Sequence, residues 1–255
     1  MKSKLGQNFL IDKKVAEREV QHANVNRDDV VLEIGPGRGI LTKLLAEKAG
    51  KVLAVEIDEK LIQLLKKFLP KNVELIHGDV LKVDFETLPR FNKVVSNLPF
   101  QISSPVTFKL LNYGFDLAVL VYQKEFADRL VAKPGDKNYS RLSVHVYYKA
   151  DCKVLEVIPK TCFEPEPKVD SCMVKLIPRK NPPFHVWDED LFLDVTRKLF
   201  IHRRKKIRTS LIKLFDIDIE DGILYMDRRV EELSPEEIGE LSNVLYRKTK
   251  NIDMS

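Results

Sequence analysis

The chain has 255 residues, of which 44% are hydrophobic and 32% charged, and its formal net charge is +5. This composition excludes a mainly disordered protein, and no segment approaches the roughly 18 uncharged apolar residues of a membrane span or resembles a secretory signal. Three scattered cysteines, with no paired Cys or His spacing, predict a reducing cytoplasm, no disulfide framework and no metal site.

Short β-branched runs alternate with helical periods from Val30 to about Pro178. Helical periods follow the first two predicted strands, and the predicted strands span 30–34, 51–55, 73–76, 93–96 and 117–121. This alternation predicts an α/β fold, a doubly wound and mostly parallel Rossmann-like sheet with helices on both faces. Two further runs, near 153–157 and 172–177, lack a full helix between them and predict an antiparallel hairpin at the sheet edge.

A linker is predicted at residues 178–183, where prolines and charged residues cluster. It divides the chain into a first domain over 1–180 and a small all-helical domain over 184–255, in which apolar residues keep helical spacing. No acid occurs between Asp194 and Asp216, and this stretch contains a basic cluster formed by Arg203, Arg204, Lys205 and Lys206. Such a cluster attracts phosphate backbones, although a solvated helix face is the alternative interpretation.

Three predicted strands end in residues that suit a nucleoside ligand. The first runs into Glu33-Ile34-Gly35-Pro36-Gly37-Arg38-Gly39, whose glycines let the backbone turn tightly and approach a ligand closely. Glu56 ends the second strand, about 20 residues beyond Gly35, where an acid can hold both hydroxyls of a ribose. Asp79 follows the third strand and can accept a hydrogen bond from an adenine amino group. Because the carboxyl ends of parallel strands share one edge, these residues predict a single site.

The acid ahead of the glycines distinguishes between cofactors. Glu33 lies two residues before Gly35, where its charge would repel a phosphate group and favour a cation or an amine. Nicotinamide cofactors need the GxGxxG spacing for their pyrophosphate, whereas S-adenosylmethionine carries a sulfonium and an amino group but no phosphate. We therefore predict S-adenosyl-L-methionine as the cofactor.

The fourth predicted strand ends in the turn Ser96-Asn97-Leu98-Pro99-Phe100. The N6 amino group of adenine is a poor nucleophile, because its lone pair is delocalised into the ring. The Asn97 side-chain oxygen and the Leu98 carbonyl can accept its two hydrogens and turn the lone pair toward an electrophile. Pro99 fixes the turn, and Phe100 offers a face for stacking on an extruded base. The pattern therefore predicts four catalytic residues, Asn97, Leu98, Pro99 and Phe100.

Two longer motifs are specific enough to indicate a family. They are Leu5-Gly6-Gln7-Asn8-Phe9-Leu10 and Phe163-Glu164-Pro165-Glu166-Pro167-Lys168-Val169-Asp170-Ser171. Together with the glycine loop, Glu56-Ile57-Asp58, Gly78-Asp79, the Asn97–Phe100 turn and the stretch 200–208, they extend nearly end to end. With them, the chain resembles the KsgA-type small-subunit rRNA adenine dimethyltransferases. The family often has tyrosine where Phe100 stands, a change that keeps the stacking face but not a hydroxyl.

The resemblance implies an enzyme that dimethylates N6 of two adjacent adenosines near the 3′ end of small-subunit rRNA, coupled to ribosome biogenesis. The implied partners are this rRNA and the assembling small subunit, with no membrane, and we expect a cytoplasmic monomer. The implied cofactor-binding residues, which begin with an N-terminal lid, are Gln7, Asn8, Leu10, Gly35, Gly37, Glu56, Ile57, Asp79, Val80 and Asn97. The implied substrate-binding residues are two stacking faces and the basic cluster, namely Phe100, Phe163, Arg203, Arg204, Lys205 and Lys206.

Other functions stay open at this point. A large-subunit rRNA adenine methyltransferase that confers macrolide resistance, or a DNA adenine methyltransferase, would also fit the Asn97–Phe100 turn. The 163–171 motif and the basic cluster disfavour the DNA enzyme. A non-enzymatic assembly checkpoint or transcription factor is a different class of function, and the intact Glu56, Asp79 and Asn97 argue for retained catalysis.

Overall fold

The computed structural model describes residues 7–215 and 224–249, so Leu5 and Gly6 of the N-terminal motif lie outside the described residues. The described chain forms nine strands and nine α-helices. The strands are β1 (Phe9–Leu10), β2 (Val30–Ile34), β3 (Lys51–Glu56), β4 (Val73–His77), β5 (Lys93–Asn97), β6 (Leu117–Gln123), β7 (Ala150–Ile158), β8 (Phe163–Glu164) and β9 (Ser171–Pro178). The helices are α1 (Lys13–His22), α2 (Ile40–Lys48), α3 (Glu59–Leu65), α4 (Ser103–Asn112), α5 (Lys124–Leu130), α6 (Arg141–Lys149), α7 (Glu189–Leu199), α8 (Ile207–Phe215) and α9 (Pro235–Thr249).

The chain divides into two compact units. The first unit runs to Ala127 and includes Ala150–Pro178, and the second comprises Asp128–Lys149 and the chain from Arg179 onward. The sequence pattern placed a single boundary near residue 180, whereas residues 128–149 belong to the second unit. The reason is apolar packing, because three side chains of this segment are buried in the core of the second unit, those of Tyr139, Val144 and Tyr148.

The first unit is built on a seven-stranded sheet with the order β4-β3-β2-β5-β6-β9-β7. Its first five strands are parallel, and β9 pairs antiparallel with both β6 and β7. This confirms the predicted doubly wound sheet and its antiparallel edge. The strand order reverses between β2 and β5, and open α/β sheets bind ligands at the carboxyl ends of the strands beside such a reversal.

A hydrophobic core lies between α1, α2 and the sheet. Helix α1 begins where the Asp12 side chain accepts hydrogen bonds from two backbone N–H groups, and it buries one stripe, Val15, Ala16, Glu19 and Val20. A separate two-stranded sheet joins β1 to β8, with Leu10 paired to Phe163. Both of these side chains belong to the same buried cluster as Val15 and Ala16.

The second unit contains α6 to α9 around its own core. In α7, Phe192, Val195 and Leu199 are fully buried, which confirms the helical spacing read from the sequence. Ile207 and Leu211 of α8 join the same cluster, together with residues of α9. No helix among the described residues is both long and apolar enough to cross a membrane.

Candidate active site

A cavity of about 370 Å³ lies in the first unit where β2, β3 and β5 end. Its volume and its place at the strand-order reversal are typical of small-molecule sites in α/β proteins. Twelve of the residues predicted for the site line it, and they are Gln7, Asn8, Gly35, Gly37, Glu56, Ile57, Asp79, Val80, Asn97, Leu98, Pro99 and Phe100.

The glycine loop forms one wall of the cavity in a conformation that needs glycine. Gly35 and Gly37 have φ angles of +72° and +56°, in the left-handed region that side chains disfavour. A Cβ on Gly37 would lie 2.8 Å from Phe9 Cδ1, and one on Gly35 would lie 3.3 Å from the Pro99 ring. Both positions therefore need glycine, and both line the cavity.

The Glu56 carboxylate is held by backbone groups at the end of β3. It is buried, with 3% of its surface exposed. Its Oε1 accepts hydrogen bonds from the N–H groups of Ile57 at 2.9 Å and Asp58 at 3.0 Å, and its Oε2 accepts one from Gly37 at 3.3 Å. Desolvation raises the pKa of Glu56, while these three donors oppose the rise. The three donors fix the direction of the Glu56 carboxylate. Because a carboxylate has about four lone-pair positions, it keeps capacity for a ligand hydroxyl.

The loop that carries Asp79 and Val80 is fastened by a lysine that sequence reasoning missed. Asp79 Oδ1 accepts a hydrogen bond from Leu81 N at 3.0 Å. The Lys109 ammonium, from α4, donates to the Val80 carbonyl at 2.9 Å and also to the carbonyls of Leu81 and Val83. No local pattern connects Lys109 with residues almost 30 positions earlier, so the sequence offered no signal for this contact.

Asn97 combines a held amide nitrogen with a free amide oxygen. Its Nδ2 donates to both carboxylate oxygens of Glu19, at 3.0 and 3.3 Å. Its Oδ1 is buried and has no hydrogen-bond partner within the described chain. A buried acceptor without a partner is costly unless a ligand supplies a donor. Sequence reasoning missed Glu19, although an acid within the apolar stripe of α1 was a visible signal.

Glu33 does not act as the motif suggested. It is 2% exposed and is not among the residues that line the cavity. Burial raises the pKa of Glu33 to about 8, and the Glu56 carboxylate contributes to this rise. A side chain that is mostly neutral near pH 7 repels phosphate weakly, so the charge of Glu33 does not exclude a phosphate-bearing cofactor.

Two residues assigned to the site by resemblance lie elsewhere. Leu10 and Phe163, expected at the lid and as a stacking face, are 6% and 4% exposed and pack in the hydrophobic core. Their pairing across β1 and β8 directs both side chains inward, so neither lines the cavity. Phe9, which points the other way along β1, lines the cavity instead.

The segment that carries Asn8 and Phe9 is fastened to the 163–171 motif. Asn8 Nδ2 donates to the Pro165 carbonyl at 2.5 Å, and Arg38 pairs with Glu164 at 2.5 Å. The Arg38 guanidinium also lies 5.0 Å from the centre of the Phe9 ring. These contacts join the N-terminal strand, the glycine loop and the 163–171 motif at the rim of the cavity.

The basic cluster lies in the second unit, and acids from later in the chain meet half of it. Arg203 Nε pairs with Glu231 at 2.9 Å, and Lys206 pairs with Asp227 at 3.3 Å. Arg204 and Lys205 are exposed, and neither forms an ion pair with any residue that the structure describes. The acid-free stretch in the sequence therefore overstates the number of unpaired cations.

Comparison with known proteins identifies the family. The profile described as "Ribosomal RNA adenine dimethylase" matches residues 1–247. The chain belongs to the ribosomal RNA adenine dimethylase family. A protein of Thermococcus onnurineus named "Probable ribosomal RNA small subunit methyltransferase A" is 47% identical over 98% of this chain and 93% of its own length. A protein of Methanosarcina acetivorans with the same name is 47% identical, over 94% of this chain and 92% of its own length.

Two solved structures of related proteins support the same assignment. A dimethyladenosine transferase from Plasmodium falciparum has a TM-score of 0.79 and 29% identity, covering 96% of this chain and 98% of its own. The 23S rRNA methyltransferase ErmE has a TM-score of 0.69 and 27% identity, covering 94% of this chain and 100% of its own. This member of the ribosomal RNA adenine dimethylase family is thus a methyltransferase that uses S-adenosylmethionine and acts on ribosomal RNA.

The cavity fits this cofactor on structural grounds. Gly35 and Gly37 line the cavity without side chains, and Phe9, which also lines it, packs so closely on Gly37 that a Cβ there would lie 2.8 Å from its ring. Glu56 can accept from a hydroxyl, and no lysine or arginine that would bind a phosphate is among the lining residues. An adenosine carrying a cationic sulfonium, rather than a pyrophosphate, matches this set of groups.

Proposed function

We propose that the chain transfers methyl groups from S-adenosylmethionine to N6 of two adjacent adenosines near the 3′ end of small-subunit rRNA, giving N6,N6-dimethyladenosine. The observation that carries the proposal is the buried, unpartnered Oδ1 of Asn97 in a residue that lines the cavity. An amino group of adenine supplies the hydrogen-bond donor that this acceptor lacks. The names of the relatives at 47% identity favour the small subunit as the source of the adenosines.

In the proposed reaction, the chain orients a weak nucleophile. Asn97 Oδ1 and the Leu98 carbonyl accept the two N6 hydrogens, so that the nitrogen lone pair points out of the base plane. When bound, S-adenosylmethionine would supply an electrophilic methyl group. The carbon–sulfur bond breaks as the bond to N6 forms, and the electron pair of the broken bond stays on sulfur. The N6 proton then leaves to solvent. Phe100, half-buried after the Asn97–Pro99 turn, stacks on the base.

The other residues around the cavity hold the cofactor in this proposal. The backbone of Gly35 and Gly37 lies against the methionine part, Glu56 accepts from the ribose and Asp79 accepts from the adenine amino group. Ile57 and Val80 flank the nucleoside, and Gln7 and Asn8 form the lid. Leu10 and Phe163 act on this site through the core that supports the lid, since both are buried there.

The proposed partners of the chain are rRNA and the assembling small subunit. Arg203, Arg204, Lys205 and Lys206 contact rRNA phosphates, and the assembling small subunit presents the adenosines to a monomeric, cytoplasmic enzyme. The exposure of Arg204 and Lys205 supports this role, because neither has an acidic partner among the described residues and an exposed, unpaired cation can meet a phosphate. A solvated face without a partner is the competing interpretation.

A second candidate function is methylation of large-subunit rRNA, which the similarity to ErmE favours. Both functions use the same adenine chemistry, so the subunit that is methylated distinguishes them. Purified small and large subunits, each lacking dimethyladenosine, should be incubated with the protein and tritium-labelled S-adenosylmethionine. We expect label on small subunits only, recovered as N6,N6-dimethyladenosine from two adjacent positions. Label confined to large subunits would contradict the proposal, and no transfer to either would favour a non-enzymatic role.

A further inference from the structure

A carboxylate occupies a core position of helix α1 and forms no ion pair with the residues that the structure describes. Glu19 is 0% exposed and stands in the buried stripe with Val15, Ala16 and Val20. Its neighbour Arg18 pairs with Glu156 at 2.8 Å, and within the described chain Glu19 forms no ion pair. Burying a carboxylate without a cation is expensive, and an apolar residue would fill this stripe at less cost. The chain therefore carries an acid here for a reason other than stability.

The partner of Glu19 is the amide of Asn97. Asn97 Nδ2 donates to both oxygens of the carboxylate, so Oδ1 is the atom left without a partner. An ionised carboxylate only accepts hydrogen bonds. A half-turn of the amide would place Oδ1 against the two carboxylate oxygens, which repels it. Ionised Glu19 thus permits one of the two amide orientations.

We propose that Glu19 is a positioning residue for methyl transfer: its carboxylate holds the Asn97 amide so that Oδ1, and not Nδ2, faces the target amino group. This inference rests on the proposed function, because it needs an amino group as the substrate. The opposite orientation would set an N–H donor against an N–H donor. Glu19 touches neither the substrate nor the cofactor in this proposal, and it acts through Asn97.

Protonation of Glu19 should weaken this control. Burial, together with the charges of Glu33 on β2 and Glu156 on β7, raises the pKa of Glu19 to about 8, while the Asn97 hydrogen bond and Arg18 oppose the rise. A neutral carboxyl group gains an O–H donor, which can bind Oδ1 and remove the free acceptor. The ionised fraction rises with pH, so the methyl-transfer rate should rise through the same range.

The contact can be tested without any substrate, by following the side-chain carboxyl carbon of Glu19 by NMR in ¹³C-labelled protein, assigned from its loss in Glu19→Gln. We expect a midpoint near pH 8. Asn97→Ala should move this midpoint to higher pH, because it removes a donor that stabilises the ionised form. Glu33→Gln should move it to lower pH, because it removes a nearby negative charge. A midpoint that Asn97→Ala leaves unchanged would overturn the proposal, whatever the substrate is.

The rate of methyl transfer gives the second readout. At about pH 9, Glu19→Gln should lower kcat about three- to tenfold with little change in the KM for S-adenosylmethionine, since Oδ1 must first give up a neutral hydrogen bond. The difference from wild type should shrink toward pH 6, where wild-type Glu19 is neutral as well. Glu17→Gln, an exposed acid of the same helix, is the matched control and should keep the wild-type profile.

The outcomes separate the two proposals. A ratio of wild-type to Glu19→Gln rates that stays constant across pH would assign Glu19 a structural role and overturn the inference. If wild-type protein methylates neither subunit while the carboxyl midpoint still responds to Asn97→Ala, the proposed function fails and the contact stands. Thermal unfolding checks that Glu19→Gln folds, and we expect no loss of stability at about pH 9, because the substitution removes a buried charge.

Discussion

At the cavity of the first unit, two acids, Glu19 and Glu56, are buried and are held by neutral groups. Glu19 is held by the Asn97 amide and Glu56 by three backbone N–H groups. In the basic cluster of the second unit, the side chain of Arg203 is 35% exposed and is held by a charged partner, Glu231. A buried acid with neutral donors keeps free acceptor capacity, and its protonation changes with pH. A partly exposed ion pair is screened by salt and contributes little to stability. Four predictions test this contrast.

The largest effect, on the rate of methyl transfer, is expected at Asn97, whose amide contains both the donor to Glu19 and the free acceptor. Asn97→Ala removes the acceptor for the target amine, so the single-turnover rate of methyl transfer should fall at least about a hundredfold. Affinity for S-adenosylmethionine, measured by calorimetric titration, should stay within about threefold, since Glu56 and the glycine loop are unchanged. Asn112→Ala, at the exposed end of α4, is the control and should keep the full rate. A wild-type rate for Asn97→Ala would refute the role of the amide.

The buried acids should also make stability depend on pH. Burial raises the pKa of Glu33 from 4.5 to about 8, so this group favours the folded state when protonated. Its contribution is complete at pH values below 4.5 and is lost as the pH rises through 8. Between about pH 6 and pH 9, urea unfolding should show a loss on the order of 2 kcal/mol that Glu33→Gln removes. Equal pH dependence in wild type and Glu33→Gln would contradict this assignment, and Glu17→Gln is the exposed control.

The sequence predicted the first of these two regions better than the second, for a physical reason. The sheet, the glycine loop and the Asn97–Phe100 turn follow from local patterns, because strand alternation and turn residues act over a few positions. Twelve predicted residues accordingly line the cavity. The contacts of Lys109 and of Glu19 join residues far apart in the chain. The apolar stripe of α1 marks Glu19 as unusual, but no local pattern identifies the partner of either residue.

The differences between the sequence patterns and the structure have the same origin. Leu10 and Phe163 carry family motifs, yet the pairing of β1 with β8 decides which face each side chain takes, and both face the core. The acid-free stretch around Arg203 gave no sign of Glu231, 28 residues further on, which pairs with it. The segment 128–149 was placed in the first unit for the same reason, since its partners in the core of the second unit come from α7 and later. Tertiary pairing, rather than composition, decided each of these cases.

A smaller effect is expected at Glu56, where the backbone already takes most of the acceptor capacity. Glu56→Ala should weaken S-adenosylmethionine at least about tenfold, the minimum for losing a charge-assisted hydrogen bond to a ribose hydroxyl. The exposed Glu59, three residues on, is the control, and Glu59→Ala should bind normally. Calorimetric titration of the folded variants decides the point. Unchanged affinity in Glu56→Ala would remove the ribose contact from the proposal, and specific binding of NADH would revive a dinucleotide site.

The smallest effect should appear in the basic cluster, and it depends on which cations are replaced. Arg204 and Lys205 have no acidic partner among the described residues, so they can meet rRNA phosphates without giving up an ion pair. Arg203 and Lys206 would first have to leave Glu231 and Asp227.

The double variant Arg204→Ala/Lys205→Ala should therefore weaken small-subunit binding a few-fold. It should also reduce the salt dependence by about 0.7–0.9 per lost phosphate contact. The variant Arg203→Ala/Lys206→Ala should change the salt dependence less and lower the thermal stability more, because the half-buried Glu231 loses its partner and the carbonyl of Lys137 loses a donor.

Filter binding across a salt series compares the two variants, each of which has lost two positive charges. Equal salt slopes for both would mean that the ion pairs do not decide which cations reach the RNA, and slopes unchanged from wild type in both would leave the cluster as a solvated face. Cofactor affinity should stay constant in both, because every residue that lines the cavity belongs to the first unit.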